Sequence, residues 1–414
     1  MLKNYLLMAW NVARRRKLFT VINLACIVIT LVVLMVVTAL LQEAFYPTGV
    51  EHRSNRFLEV YMIQATNTKG TSSSSSPLGY KVIDKYLKTL PGPEAVSAFS
   101  AVQAASVFKD GSIIEVQTRH VDAEYWRILD FKVLAGRVHD AEDIAQGRMV
   151  AVLAKPMALK LFGDAAPLGR KLESGGQTFT VIGVVEPVLS LNAYADMWVP
   201  VTTYPSTEYR HQMTGTFQAL LLARSADDLP ALRQRVAQVA KGISFNEQNG
   251  RQYDLVYLWA DSKLDIVART LTGSKELNSG SAKVVAVIAG VMVLFMLLPA
   301  LNLVNLNMGR ILERSTEIGV RKAFGANNGQ LVLQLVLENV ALCLAGGLLA
   351  LMGAQLVLLW LEAFGPLPYL KVSMNLAVFG WGLLLTIVFG VLSGVIPALK
   401  MARLDPVHAL KGAA

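Results

Sequence analysis

The sequence predicts a membrane protein with four transmembrane α-helices and a large α+β extracytoplasmic domain inserted between helices 1 and 2. Three observations support this prediction: four long apolar runs, an uneven distribution of basic residues, and alternating strand-like and helix-like segments in the longest polar region. Hydrophobic residues make up 53% of the 414 residues, and the mean hydropathy is +0.44. Both values exceed what soluble globular proteins usually show.

Each of the four apolar runs is long enough to cross a bilayer, since about 20 helical residues span about 30 Å of hydrocarbon. The runs cover residues 18–41, 284–306, 331–361 and 376–396. Only the third contains a charged residue, Glu338, which lies near its start. Because this run is longer than a span requires, we expect the membrane to begin after Glu338 and the carboxylate to lie at the interface. A proton-relay role inside the membrane is the alternative.

The basic residues indicate which side of the membrane each segment faces. Residues 43–282 contain 25 basic and 25 acidic residues, whereas the rest of the chain contains 14 basic and 5 acidic residues and so carries the whole net charge of +9. Basic residues accumulate in cytoplasmic loops, so we expect both termini and the 310–322 segment to be cytoplasmic and residues 43–282 and 362–375 to be outside. A nucleic-acid-binding protein would instead gather its basic residues on a folded domain.

The N-terminal region predicts an interfacial helix followed by a retained transmembrane helix. Residues 1–17 carry apolar side chains at helical spacing and end in a basic cluster, which suits a helix at the cytoplasmic membrane surface. The apolar run that follows has 24 residues and ends without a small-residue cleavage site. It is therefore longer than the apolar region of a cleavable signal peptide.

Residues 43–282 predict an α+β domain. Both cysteines, Cys26 and Cys343, lie in apolar runs, so this domain has no disulfide, and at about 240 residues it can form a core without one. From residue 125 onward, strand-like and helix-like segments alternate with glycines at the turns. Elsewhere the sequence predicts strands at 57–63, 197–201, 217–222 and 253–258, helices at 82–90 and 229–240, and a flexible loop over the serines at 72–76.

A charged segment at residues 310–326 separates the second and third apolar runs. Its glutamates and basic residues recur at three- and four-residue spacings, with glutamate N-terminal to its basic partners, an order that stabilises helices. These residues are Glu313, Arg314, Glu317, Arg321 and Lys322. We expect a short charged helix at the cytoplasmic membrane surface. A solvated turn between two spans is the alternative that the charge pattern leaves open.

Residues 313–326, ERSTEIGVRKAFGA, resemble the signature ER..EIG.R.A.GA of the MacB/FtsX family of ABC-transporter permeases. In that family the segment is the coupling helix that contacts the ATPase subunit. The resemblance therefore implies that this chain contacts an ATPase through a defined set of residues. They are Glu313, Arg314, Glu317, Ile318, Gly319, Arg321, Lys322, Gly325 and Ala326.

Two further regions resemble the same family. The external region follows the order of motifs in MacB-like periplasmic core domains, and the tail at 397–412 resembles the family's C-terminal ending. The matching core positions are Gly136, Arg137, Leu161, Phe162, Gly163, Pro167, Leu168 and Gly169. Glycines and prolines at such places set turns, so we expect these residues to be structural and to form no binding site.

Small residues recur every four positions in the last two apolar runs. Gly346, Ala350 and Ala354 form one stripe, and Gly390 and Gly394 belong to the other. Small side chains let helix backbones approach closely in lipid. We therefore expect both stripes to pack against neighbouring helices.

The sequence carries no motif for catalysis or for a cofactor. It lacks a phosphate-binding Gly-x-x-x-x-Gly-Lys-Ser/Thr loop and a Ser or Cys nucleophile motif, and its five histidines do not fall at metal-ligand spacing with cysteines or acids. We therefore expect a non-catalytic subunit without a cofactor or metal of its own. The family resemblance implies that ATP and Mg²⁺ bind to a separate ATPase chain.

The resemblance implies a permease of the bacterial inner membrane that forms a dimer with a second copy or a paralogue and works with an ABC ATPase. ATP hydrolysis would move the coupling helix, and spans one and two would carry this motion to the external domain, which is called mechanotransmission. Two transport roles stay open: efflux of peptides or antibiotics, with a periplasmic adaptor and an outer-membrane channel, and release of lipoproteins. An FtsX-like regulator of cell-wall hydrolases and a membrane-anchored binding or sensory module are the alternatives from other classes.

These expectations give a complete predicted organisation. It consists of a cytoplasmic interfacial helix (1–17), transmembrane helix 1 (18–42), the extracytoplasmic domain (43–282), transmembrane helix 2 (283–308), the cytoplasmic coupling loop (309–330), transmembrane helix 3 (331–361), a short extracytoplasmic loop (362–375), transmembrane helix 4 (376–397) and a cytoplasmic tail (398–414).

Overall fold

The computed structural model of the protein describes residues 17–47, 49–69, 71–109, 112–245, 253–313, 328–364, 369, 372 and 376–402. The chain forms two compact units. The first, called the helical unit, comprises Met1–Leu41, Val285–Pro366 and Val372–Ala414. The second, called the external domain, comprises Gln42–Val284 and Leu367–Lys371.

The described elements are numbered in chain order. The helices are α1 (Lys17–Phe45), α2 (Tyr80–Val82), α3 (Ala123–Ile128), α4 (Ala141–Gln146), α5 (Lys155–Phe162), α6 (Leu229–Lys241), α7 (Lys263–Thr272), α8 (Ser281–Glu313), α9 (Asn328–Phe364) and α10 (Leu376–Ala402). The strands are β1 (Phe57–Val60), β2 (Ile63–Thr66), β3 (Ser73–Ser76), β4 (Ala95–Ser100), β5 (Gln103–Lys109), β6 (Ser112–Val121), β7 (Val133–Gly136), β8 (Val150–Ala154), β9 (Lys171–Ser174), β10 (Gln177–Val185), β11 (Met197–Pro200), β12 (Phe217–Leu222) and β13 (Leu255–Leu258).

The helical unit is built from α1, α8, α9 and α10, whose apolar composition matches the four apolar runs. By length and composition, two of the described helices can cross a membrane, over Thr20–Phe45 and Val336–Phe364. The other two contain shorter apolar stretches, Ser281–Leu297 and Leu376–Leu392. Glu338 lies inside α9 with a buried side chain. Its position relative to the membrane stays a prediction, and the interfacial helix at 1–17 lies almost entirely outside the described residues.

The external domain is organised around a ten-stranded sheet in the order β1-β12-β4-β6-β11-β8-β10-β9-β5, with β7 paired to β10. The pairs β10–β8 and β11–β6 are parallel, and the other pairs are antiparallel. Because β5 also pairs with β6, six of these strands close into a ring. A second sheet has the order β13-β2-β3. This mixture of strands and short helices agrees with the predicted α+β class.

Three hydrophobic clusters fill the external domain and stabilise it without a disulfide. One lies between the small sheet, α6 and β12, the second surrounds Trp198, Tyr125 and Phe99, and the third fills the interior of the strand ring. The aromatic side chains Trp198 and Tyr125 are fully buried. Burying aromatic side chains of this size supplies much of a domain's hydrophobic stabilisation.

The single strand predicted at 57–63 is wrong. The chain forms β1, interrupts its pairing at Tyr61 and Met62, and resumes as β2 in the other sheet. Strand β1 pairs with β12, whereas β2 pairs with β3 and β13. The apolar, β-prone composition indicated extended structure but carried no signal for the change of sheet.

The flexible loop predicted over the serines is also wrong, because Ser73–Ser76 form strand β3. Every serine of this strand has a partner on β2, from Ser73 opposite Thr66 to Ser76 opposite Ile63. The side chains alternate between exposed and half-buried. Serine has no strong strand propensity, so the backbone pairing with the largely buried β2 decides the conformation here.

The helix predicted at 82–90 begins earlier, at Tyr80, and changes its winding. After α2, residues Ile83–Leu87 form a π-helix, and the backbone N–H of Lys88 donates to the carbonyl of Ile83 at 2.8 Å. The helix ends before Pro91, as we expected from this proline. The glycines predicted to set turns behave as expected: Gly136, Gly163 and Gly169 all have positive φ angles between 61° and 78°, which glycine adopts at no steric cost.

Candidate functional site

The predicted coupling residues fall mostly outside the described part of the chain. Glu313 is the last residue of α8. The remaining eight lie outside the described residues, namely Arg314, Glu317, Ile318, Gly319, Arg321, Lys322, Gly325 and Ala326. Their role therefore stays a prediction from the family resemblance.

The first predicted stripe of small residues lies at the contact between α9 and α1. Ala350 and Ala354 are fully buried in a cluster with Ile27 of α1 and its neighbours. At Gly346, one turn earlier, an added Cβ would lie 2.6 Å from Cγ2 of Ile27. No side chain larger than hydrogen fits there unless α1 or the Ile27 side chain moves, so the two helices are in close contact at this glycine.

The second predicted stripe lies on α10, which packs against α9. An added Cβ at Gly390 would lie 2.7 Å from Sγ of Cys343, and Asn339 donates from Nδ2 to the Gly390 carbonyl at 3.3 Å. Gly394 lies one turn later on the same helix. The close approach of α9 and α10 thus combines a small residue with an interhelical hydrogen bond, a pairing that is typical of helices in lipid.

The external domain contains a network of buried charged side chains around α7, which the sequence analysis did not identify. The first link involves Glu51, six residues after the end of α1 and fully buried. Its carboxylate lies 2.6 Å from Nζ of Lys263, the first residue of α7. Lys263 also donates to Oγ of Ser190 at 3.4 Å. This ion pair attaches the segment that follows α1 to the start of α7.

Next to this pair lies Glu59 of β1, whose side chain is also buried. Asn192 donates from Nδ2 to the Glu59 carboxylate at 2.5 Å. Burial, followed by the neighbouring Glu51 charge, raises the pKa of Glu59 to about 7, against the opposing effects of Lys263 and Asn192. A carboxyl group with such a pKa changes its charge near neutral pH.

Asn192 extends this link into the large sheet. Its backbone carbonyl accepts hydrogen bonds from Nη1 of Arg119 at 2.9 Å and from the hydroxyl of Tyr125 at 2.7 Å. Arg119 belongs to β6, and Tyr125 is a fully buried residue of α3. Asn192 therefore links the Glu59 carboxyl to β6 and α3.

The second half of the network holds the segment that leads into α8. Arg269 of α7 forms a bidentate ion pair with Asp261, with N···O distances of 2.6 and 3.0 Å. Arg269 also donates to the carbonyls of Ser274 and Glu276 at 2.8 and 2.7 Å. Asp261 and Glu59 exchange backbone hydrogen bonds at 2.8 and 2.9 Å. One arginine thus joins β1, α7 and the 273–280 segment.

Asp265 completes this attachment at the residues just before α8. It caps α7 together with Ser262, pairs with Arg233 of α6, and accepts a 2.5 Å hydrogen bond from Ser279. Burial opposes the ionisation of Asp265, but the hydrogen bonds from Ser262, Ser279 and Arg233 outweigh it and lower its pKa. Asp265 is therefore charged at neutral pH and holds Ser279, two residues before the start of α8 at Ser281.

The segment that follows α1 and the segment that leads into α8 are both attached to one ten-residue helix, α7. Removing one partner from a buried charge pair costs several kcal/mol, so the attachments resist separation. In the described part of the chain, no group of three or more His, Cys, Asp or Glu side chains is placed to hold a metal ion. A sequence signal for the network did exist: Ser262 and Asp265 form a capping-box pattern, and Asp261, Asp265 and Arg269 recur every four residues.

Comparison with known proteins identifies two family matches along the chain. Residues 20–239 match the MacB-like periplasmic core domain, and residues 289–406 match the FtsX-like permease C-terminal region. The first match alone covers more than half of the 414 residues.

Relatives over most of the length include two permeases from Bacillus subtilis (strain 168). The chain is 27% identical to the uncharacterized ABC transporter permease YknZ over 334 residues, or 79% of this chain and 77% of YknZ. It is 24% identical to the uncharacterized ABC transporter permease YvrN over 347 residues, or 82% and 80% of the two chains. It is also 28% identical to the macrolide export ATP-binding/permease protein MacB of Chromobacterium violaceum over 293 residues, covering 70% of this chain but only 42% of MacB.

Two solved structures of external domains each align with about half of the chain. The extracellular domain of YknZ from Gram-positive bacteria gives a TM-score of 0.37 at 20% identity, covering 49% of this chain and 98% of that domain. The periplasmic region of MacB from Actinobacillus actinomycetemcomitans gives a TM-score of 0.34 at 14% identity, covering 52% and 94%.

These matches confirm the family resemblance and the expectation of a non-catalytic permease subunit. They also agree with the order of parts, an N-terminal apolar helix, a large periplasmic α+β domain and C-terminal apolar helices. A permease of this kind has an ABC ATPase as its partner. The chain is therefore a member of the MacB/FtsX family of ABC transporter permeases that carries a MacB-like periplasmic core domain.

Proposed function

We propose that the protein is the transmembrane subunit of an exporter and relays ATP hydrolysis from a separate ATPase chain to its periplasmic domain. The relatives named as permeases, YknZ and YvrN, match over more than three quarters of their length, which supports a permease chain as the unit of function. The MacB relatives are macrolide export ATP-binding/permease proteins, which supports efflux of peptides, antibiotics or other periplasmic substrates.

In this proposal the four long helices all span the bacterial inner membrane, with both termini and the 310–326 segment in the cytoplasm. The excess of basic residues outside 43–282 supports this orientation. ATP and Mg²⁺ bind to the partner ATPase. Two permease chains, identical or paralogous, assemble with two ATPase subunits, and a periplasmic adaptor and an outer-membrane channel complete the export path.

The observation that carries the proposal is the charged network around α7. ATP-driven movement of the coupling segment would displace α8, and α8 begins two residues after Ser279, which Asp265 holds. Glu51 holds the other end of α7 to the segment that follows α1. A displacement of either apolar helix would therefore reach the same short helix and, through Glu59 and Asn192, the large sheet. This is a mechanical path that requires no substrate channel through the bilayer.

The test is ATPase stimulation in a reconstituted complex. The full chain is placed in lipid nanodiscs with the ABC ATPase that co-purifies with it, and ATP hydrolysis is measured with and without the permease. We expect Glu317→Lys and Gly325→Leu to abolish the stimulation without unfolding the permease. Glu173→Lys, the same charge reversal at an exposed residue of β9, serves as the matched control and should leave stimulation unchanged. Normal stimulation in the two loop variants would refute the proposed coupling role.

A further inference from the structure

A groove of about 570 Å³ lies on the surface of the external domain between α6 and β13. Its volume is within the range of about 300 to 1,000 Å³ that is typical of small-molecule sites. Its lining includes Gln238 and Lys241 of α6, Tyr257 of β13 with the nearby Trp259, and Lys275 and Leu277 of the segment before α8. Neither family resemblance nor the charged network accounts for this groove.

The two aromatic side chains that line the groove are held in place by their neighbours. Tyr257 and Trp259 stack with ring centroids 5.8 Å apart and an interplanar angle of 9°. Trp259 donates from Nε1 to the Lys275 carbonyl at 3.2 Å, and the Arg269 guanidinium lies 4.8 Å from its ring centroid. A ligand that contacts this surface meets side chains that are already ordered, which lowers the entropic cost of binding.

The described residues that line the groove carry charge of one sign. The charged ones among them are Lys241 and Lys275, and both are exposed. Leu255 and Leu277 also line the groove and expose 41% and 44% of their surface. Two cations beside an exposed apolar and aromatic surface are complementary to a ligand that joins an anionic group to an apolar body.

We propose that this groove binds an anionic amphiphile, a molecule with a phosphate, sulfonate or carboxylate group attached to an apolar or aromatic body. Lys241 and Lys275 bind the anion, and Tyr257 with its neighbours contacts the apolar part. Lys275 and Leu277 belong to the same 273–280 segment that Arg269 holds before α8. A bound ligand therefore contacts the segment through which α8 is attached. The inference goes beyond the proposed function, because binding here needs no ATPase.

The experiment compares two probes that share one planar apolar body and differ in charge. The full chain in phosphatidylcholine nanodiscs is titrated into 1-pyrenesulfonate or 1-pyrenemethylammonium at low salt, and fluorescence anisotropy gives the affinity after subtraction of empty nanodiscs. We expect the sulfonate to bind at least about tenfold more tightly than the ammonium probe. Added salt should weaken only the sulfonate complex, because its binding depends on the two lysines.

Matched variants assign the binding to the groove. Lys241→Gln combined with Lys275→Gln should weaken sulfonate binding about tenfold or more. Lys160→Gln combined with Lys171→Gln removes the same charge from exposed positions on α5 and β9 and should leave the affinity unchanged. Tyr257→Thr should weaken both probes. Equal affinity for the two probes, or equal losses in the two double variants, would overturn the proposal.

Displacement of the sulfonate probe distinguishes two sources of such a ligand. If dihexanoyl-phosphatidylglycerol displaces the probe at lower concentration than hexyl phosphate does, the groove recognises a lipid headgroup. The reverse order identifies a free anionic amphiphile. Failure of both compounds to displace the probe would contradict the inference, and it would leave the ATPase-coupling proposal unaffected.

Discussion

The contacts within the helical unit differ in kind from the contacts within the external domain. In the helical unit, α1, α9 and α10 meet mainly through small and aliphatic side chains, with close approaches at Gly346, Gly347 and Gly390. In the external domain, the segments next to the apolar helices are held by ion pairs and hydrogen bonds around Asp265 and Arg269. The packing of the helices depends mainly on the shapes of the side chains, whereas the ion pairs and hydrogen bonds of the external domain depend on direction and charge.

This difference bears on the relay proposed above. Apart from the hydrogen bond from Asn339 to the Gly390 carbonyl, the described helix contacts are mainly apolar and have no preferred direction, so helices can tilt or slide at modest cost as long as the surfaces stay complementary. Buried charge pairs tolerate little displacement, because a separated pair leaves uncompensated charge in a medium of low dielectric constant. If the proposed relay operates, this difference predicts that the helices of the helical unit move against one another while the ion pairs around α7 stay intact.

The largest expected effect comes from removing the arginine at the centre of the network. Arg269→Met leaves Asp261 buried without its cation and frees the carbonyls of Ser274 and Glu276. We expect a loss of about 3 to 5 kcal/mol in the free energy of unfolding of the external domain. Urea unfolding of the full chain in nanodiscs, followed by tryptophan fluorescence, measures this quantity.

Two variants test whether the loss comes from the unpaired charge. Adding Asp261→Asn to Arg269→Met removes the uncompensated carboxylate and should restore part of the stability. Arg224→Met, at an exposed position, should change the unfolding free energy by less than about 0.5 kcal/mol. If Arg269→Met also changed the unfolding free energy by less than about 0.5 kcal/mol, the ion pair between Arg269 and Asp261 would not stabilise the external domain. The contrast drawn between the two units would then be wrong.

The next effect concerns pH and Glu59. Its pKa is about 7 in the folded protein and 4.5 as the ordinary value. Between these two pH values the folded state binds more protons than the unfolded state, so stability decreases as the pH rises through this window, by up to about 3 kcal/mol. Glu59→Gln should remove this decrease. Urea unfolding between pH 4.5 and 8 checks it, with Glu173→Gln as an exposed control.

Asp265 gives the opposite pH dependence. Its pKa is lowered in the folded protein, so its contribution to stability is present at neutral pH and is lost as the pH falls below the ordinary range of aspartate. Asp265→Asn should therefore lose stability at pH 7 and differ little from the parent protein at low pH. If Glu59→Gln and Asp265→Asn changed the pH profile in the same direction, the roles assigned to the two carboxyl groups would be wrong.

A smaller effect is expected from the shape-dependent contacts of the helical unit. Gly346→Ala places a Cβ about 2.6 Å from Ile27 and should destabilise the packing of α9 on α1 by about 1 to 3 kcal/mol. Gly380→Ala, on α10 with nothing within 4 Å of the added Cβ, should be neutral or stabilise the helix by up to about 1 kcal/mol. Thermal unfolding of both variants in detergent compares them. Equal behaviour would show that close packing at Gly346 does not hold the helical unit together.

The sequence predicted the helical unit better than the network. Apolar runs and small-residue spacing depend on neighbours within one helix, so α1, α9 and α10 and the residues Gly346, Ala350 and Ala354 were identifiable. The partners in the network are far apart in sequence: Glu51 and Lys263 are separated by more than 200 positions, and Asn192 reaches Glu59 across 133 positions. Only the local capping pattern of Ser262 and Asp265 was visible, and it does not reveal Ser279 or Arg233.

Strand β3 shows how backbone hydrogen bonds can determine structure in the external domain without apolar side chains. Strand β3 contributes no apolar side chain, and its place depends on backbone pairing with β2. Because threonine favours extended backbone, Ser73→Thr combined with Ser75→Thr should stabilise the domain by a few tenths of a kcal/mol up to about 1 kcal/mol. Ser72→Thr, just before the strand, should have no comparable effect. Urea unfolding measures both variants, and equal results would contradict the role assigned to the extended backbone of β3.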